Sequence, residues 1–182
     1  MRFAPLLLVV LIAGCPFGGL GNFTSTGQTQ PTVDVILTFA GTLTAKQTTI
    51  AQRSGEAAET EQADLSGPVE AQFNGDGLPL WNGMEIVEGM ERTITLGNLT
   101  FDATATGVTQ NGQESIVDYT LTGLITHDGI PLRVNGAGQD RFTPRLDNQM
   151  HYVWAASLEH SSSDLYLTVD FDGSGNLQLV EN

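Results

Sequence analysis

Apolar and polar residues alternate with a period of two along most of this chain, and that rhythm admits strands and excludes helices. Val33, Val35, Leu37, Phe39 and Leu43 fall on one face, with Asp34, Thr38 and Thr42 on the other. Leu99, Phe101, Ala103 and Ala105 oppose Thr100, Asp102, Thr104 and Thr106. The same pattern governs Val117, Tyr119, Leu121 and Ile125; Tyr152, Trp154, Ala156 and Leu158; and Leu165, Leu167, Val169 and Phe171. One apolar face and one Thr/Asp face describes antiparallel sheet wetted on one side. Weaker strands are expected near 45–53, 68–73, 92–97, 130–134 and 177–180.

Turn chemistry divides these runs. Asn-Gly begins at 74, 82, 111 and 135, and Asp-Gly at 76, 128 and 172; such dipeptides supply the positive φ that hairpins need. The expected fold is all-β: one antiparallel meander of about 8–10 strands, barrel-like or strongly curled, with a two-sheet sandwich as the alternative. Register follows from keeping apolar faces together. A three-residue loop, Gln110-Asn111-Gly112, pairs Phe101 with Leu121 and Ala105 with Val117, with Gly112 left-handed. Around Ser161–Ser163 the same logic pairs Leu158 with Leu165 and Trp154 with Val169. Residues 54–64, SGEAAETEQAD, carry no apolar stripe and read as a short surface helix or an acidic loop. DGLPL at 76 is echoed by DGIPL at 128, each followed by Asn-Gly; recurring turn chemistry explains this better than a duplicated unit.

The N-terminus reads as an address. Met1-Arg2 is a positive start, and Phe3 to Ile12 is an apolar run too short to span a bilayer. It leads into Leu11-Ile12-Ala13-Gly14-Cys15, which resembles the lipobox of bacterial lipoproteins. That resemblance implies cleavage before Cys15, diacylglyceryl modification of its thiol and N-acylation. The expected organisation is a signal peptide at 1–14, a lipid-anchored tether at 15–32 and an all-β domain at 33–182. Expected localisation is the cell envelope, the outer membrane rather than the inner, although Pro16 after the Cys is an unusual sorting residue. A membrane-spanning barrel is disfavoured: aromatics are 7% of the chain and form no paired girdles.

Of the 182 residues, 7 are Lys or Arg and 21 Asp or Glu, a net charge of −14. Such acidity repels phosphate backbones, so nucleic acid is not an expected partner. A single Cys excludes disulfides within the chain and Cys-rich metal sites.

Asp170-Phe-Asp-Gly-Ser-Gly-Asn-Leu-Gln-Leu-Val-Glu181 resembles an EF-hand loop in its oxygen spacing. Its context is strand-like, however. A hairpin turning at DGSGN, with Phe171 opposite Leu177, is the preferred reading. Asp170, Asp172, Asn176 and Gln178 then remain as a weak calcium site; no other cofactor is implied. Trp81, in Leu-Pro-Leu-Trp-Asn-Gly, is a candidate for stacking on a ligand if exposed, or a plug for one end of a barrel. His127, His151 and His160 lack zinc spacing and a nucleophile elbow. Glu85, Glu88 and Glu91 read as a solvated acidic loop. No catalytic residue is identified. The expected function is a non-catalytic structural or binding role at the envelope, with a protein or glycan partner; the alternative is an envelope hydrolase acting on a carbohydrate or ester.

Overall fold

In the computed structural model, which describes residues 35–180, every regular element is a β-strand. Ten strands follow in chain order: β1 (Ile36–Arg53), β2 (Glu59–Asn74), β3 (Pro79–Trp81), β4 (Met84–Glu85), β5 (Glu91–Leu96), β6 (Leu99–Asn111), β7 (Glu114–His127), β8 (Ile130–Pro144), β9 (Gln149–Ser161) and β10 (Leu165–Leu179). All pairings are antiparallel, in the order β4-β3-β2-β1-β10-β9-β8-β7-β6-β5. This is a meander, with the first long strand zipped to the last from Phe39↔Leu179 to Arg53↔Leu165.

The two outermost strands, β4 and β5, are joined by only residues 86–90. A link that short draws the sheet's edges together and imposes the curl. It is fastened to β6, because Gly89 donates to the Ala105 carbonyl and Ala105 donates to that of Met90. Along the seam left between the edges, Gly67 of β2 comes close to Gly97; a Cβ on Gly67 would stand 3.4 Å from the Gly97 nitrogen.

The concave face holds one apolar core, including Phe39, Phe73, Phe101, Tyr119, Trp154, Leu167 and Phe171. The convex face carries Thr42, Thr44, Asp102, Thr104, Thr120, Asp170 and Asp172. A bilayer-spanning barrel has the reverse arrangement, apolar outward and polar inward. Curling a sheet this strongly crowds its inner face, and glycine relieves the crowding opposite large rings. Phe101 pairs with Gly123, Tyr119 with Gly138, Tyr152 with Gly175 and Trp154 with Gly173. A side chain on Gly138 would run into the Tyr119 ring, and one on Gly123 would come within 2.5 Å of the Phe101 ring.

Several local expectations change. Gly112 has φ 67°, and Phe101 and Leu121 share the buried face, as expected. The loop, however, is the two residues Gly112 and Gln113, with Asn111 opposite Glu114 and Phe101 opposite Gly123. A bulge between Ala105 and Gly107 absorbs one residue and restores the apolar face beyond it. At the β9–β10 hairpin the faces are as expected but the pairing is offset: Leu158 meets Val169, and Trp154 meets Gly173. Residues 59–64 belong to β2 rather than to a helix or loop. β2 pairs with β3 only at Gln72 and Phe73, so its first part is an exposed edge and needs no apolar stripe. Its Glu59, Glu61 and Asp64 discourage pairing with another edge.

The DGSGN hairpin is overturned too. Residues 172–176 run straight through the middle of β10, with Asp172 opposite Lys46 on one side and Ala155 on the other. Gly173 there serves close approach rather than a turn: a Cβ would sit 2.8 Å from that of Ala45. Asn135-Gly136 likewise lies within β8, whereas Asn82-Gly83 forms the β3–β4 turn with φ 50° and 75°. Both DG-x-PL stretches thus close hairpins, β2–β3 and β7–β8, but the Asn-Gly that follows turns the chain only in the first case.

Candidate functional site

Alternation along β8 puts Val134, Asp140 and Phe142 on the inner face. Asp140 is thus a carboxylate inside an apolar core, with no exposed surface at all. A charge so placed must be paired and hydrogen-bonded, and three inward residues meet this need. Arg92 of β5 donates from Nη2 to Asp140 Oδ2 at 2.5 Å. Tyr119 of β7 and Tyr152 of β9 donate their hydroxyls to Oδ1 at 3.0 and 2.8 Å. Trp154 Nε1 donates in turn to the Tyr119 oxygen at 2.6 Å. The network ties β5, at one edge of the sheet, to β7, β8 and β9.

Arg92 reaches the core through the seam. Its guanidinium lies 4.5 Å from the centre of the Trp81 ring, contributed by β3 on the opposite lip. This stacking holds β3 against β5 where no ladder joins them. Arg92 Nε is buried without a hydrogen-bond partner among the described residues. Outside this pair the seam opens into a cleft of about 500 Å³ lined by Glu70, Gln72, Leu80, Trp81, Asn82, Arg92 and Thr93. Gln72 is itself engaged, accepting from the Gly83 amide at 2.9 Å.

Burial pushes the Tyr119 and Tyr152 hydroxyls well above the ordinary phenol value of 10.0, and the neighbouring Asp140 charge adds to the shift. The native state therefore holds these protons more tightly than the unfolded chain. Their contribution is complete below about pH 10 and is lost as pH rises towards the raised native values. Two such groups give a slope of up to about 2.7 kcal/mol per pH unit. Denaturant melts across this range should show that fall, with phenolate absorbance from two of the three tyrosines appearing only on unfolding. Stability that stays flat well above pH 10 would contradict the burial of these hydroxyls.

Sequence-level candidates fare differently. Trp81 is buried rather than exposed, at 3%, and packs as a plug at the seam while contributing to the cleft lining. Asp170, Asp172, Asn176 and Gln178 are not brought together. They alternate along the outer face of β10 over eight residues, roughly 26 Å of strand. Asp170 accepts from Ser157 Oγ at 2.6 Å, and Asn176 Oδ1 lies 3.2 Å from His151 Nδ1. Cys15 and Glu181 lie outside the described residues.

The histidines are dispersed. His160 Nδ1 contacts the Arg133 carbonyl at 2.8 Å, while His127 Nε2 is 3.7 Å from Asp128, which pairs with Arg53. Asp140 and Arg92 escaped the sequence reading because both stand in polar surroundings, Gln-Asp-Arg and Glu-Arg-Thr. The available signal was parity: Arg92 keeps step with Ile94 and Leu96, and Asp140 with Val134 and Phe142. No family model, curated protein or solved structure matches this chain.

Proposed function

We propose that this chain is a lipid-anchored cell-envelope protein with a non-catalytic structural or binding role. The observation that carries the non-catalytic part is the condition of Asp140. Its two oxygens are taken up by Arg92, Tyr119 and Tyr152, and no part of it meets solvent. A carboxylate so engaged braces the fold and cannot touch a substrate. His127, His151 and His160 each have a separate neighbour, unlike the converging set that acid–base or nucleophilic catalysis needs.

The anchoring part rests on the run from Met1 to Cys15. Two or more acyl chains on Cys15 hold a protein stably at a membrane, where one alone is marginal. The outer membrane is the favoured location, and a protein or glycan the favoured partner. For a small ligand or a glycan end, the seam cleft beside Trp81 and Arg92 offers mixed donors and acceptors over an apolar floor.

Cys15→Ser removes the sole acylation site and is expected to move the protein from the membrane pellet to the soluble fraction. A variant that still pellets and resists salt washing overturns the anchor.

A further inference from the structure

Exposed aliphatic side chains stand at both ends of the domain, and at the end where β1 begins they come from several connections. Val35 and Ile36, at the entry to β1, are 53% and 42% exposed, and Val180, just past β10, is 41%. Val87 in the β4–β5 link reaches 65%, and Leu146 in the β8–β9 turn 85%. Backbone contacts make these neighbours. Val180 donates to the Thr38 carbonyl, and Leu179 donates to that of Asn148 in the Leu146 turn. Asn74, opposite Ile36 in the ladder, donates from Nδ2 to Glu85 Oε1 at 3.5 Å, and Glu85 is the last residue before the link that carries Val87.

This is also the end that receives the N-terminal segment. Nineteen residues separate Cys15 from Val35, a reach of at most about 65 Å. Resting on the lipid-anchor reading above, we propose that this end of the domain is a membrane-docking face, its aliphatic rim entering the headgroup region of the bilayer that holds Cys15. The occupant is a bilayer of electrically neutral phospholipid. Glu88 beside Val87 repels anionic headgroups, Arg145 and Asp147 on either side of Leu146 offset each other, and the whole chain carries a net charge of −14. The rim is too small to bind vesicles unaided. A short link to an inserted anchor raises the local concentration to the order of millimolar, enough to populate a weak contact. Docking so directed turns the opposite end, with its Arg53–Asp128 pair, and the side-opening seam cleft towards the aqueous compartment.

The test uses the full acylated chain in phosphatidylcholine–phosphatidylethanolamine vesicles. With Cys15 consumed as a thioether, a new cysteine is the only free thiol. An environment-sensitive fluorophore is placed by Leu146→Cys, Val87→Cys or, at the opposite end, Ile130→Cys. Labels at 146 and 87 are expected to shift to the blue on reconstitution and become several-fold protected from an aqueous quencher, while the label at 130 stays unchanged. If the protein floats with the vesicles but 146 and 87 stay fully quenchable, the docking face is wrong and the anchor stands. A blue shift at 130 alone also overturns it. If the chain does not float and carries an unmodified Cys15, the anchor reading fails and this inference with it.

Discussion

Arg92→Met is expected to lower the folding stability of the domain by about 3–5 kcal/mol, the usual consequence of stranding one partner of a buried ion pair. Asp140 has no route to water, and without the guanidinium it keeps only two phenol donors. The Arg92 side chain is 24% exposed, which places the effect towards the lower end of that range. The variant also uncovers Trp81 at the seam. Adding Asp140→Asn to Arg92→Met should recover at least half of the loss, because the amide oxygen still accepts from Tyr119 and Tyr152 and no charge remains buried. Urea titrations of wild type, both single variants and the double variant measure the coupling directly. Single variants within about 1 kcal/mol of wild type, the range of surface ion pairs, would mean that the network does not hold the sheet closed.

Gly136→Ala is expected to cost about 3 kcal/mol or more, the upper range for overpacking a core. A Cβ there would collide with the Ser157 carbonyl and stand 2.7 Å from Leu158 Cα, so β8 and β9 must part where they pair. No flexible side chain can move aside. Gly107→Ala is the matched control: nothing lies within 4 Å of its Cβ position and its φ is not positive. That change should fall within about 0.5 kcal/mol of wild type or stabilise slightly. Equal thermal shifts for the two variants would contradict the close strand approach.

The fold was legible where one face of a strand is buried and the other wet. Trp154, Ala156 and Leu158 show it, and so do Phe101 and Ala103. Face and pairing offset proved separable. Hydrophobic alternation fixes the parity of a hairpin, so Phe101 and Leu121 share a face, yet it leaves shifts of two or four residues open. Loop length and the bulge before Gly107 set the remainder, and neither has a side-chain signature here.

Two other failures have one cause each. Asp172-Gly173 and Asn135-Gly136 carry turn dipeptides, but their glycines are needed for room inside a tightly curled sheet. Residues 59–64 showed no period because an edge strand exposed on both faces is under no pressure to have one. The candidate site was less legible than the fold. Trp81 was visible as an unusual aromatic, whereas Asp140 becomes conspicuous only when counted in step with Val134 and Phe142. The partner it meets, Arg92, lies 48 residues away.

The proposed anchoring holds the chain at a membrane through Cys15, and mass spectrometry of the N-terminal peptide from membrane fractions tests it most directly. The predicted result is a mature chain beginning at Cys15, with diacylglycerol on sulfur and an acyl group on the α-nitrogen. A peptide that begins elsewhere, or one that carries Cys15 with a free thiol, would contradict it.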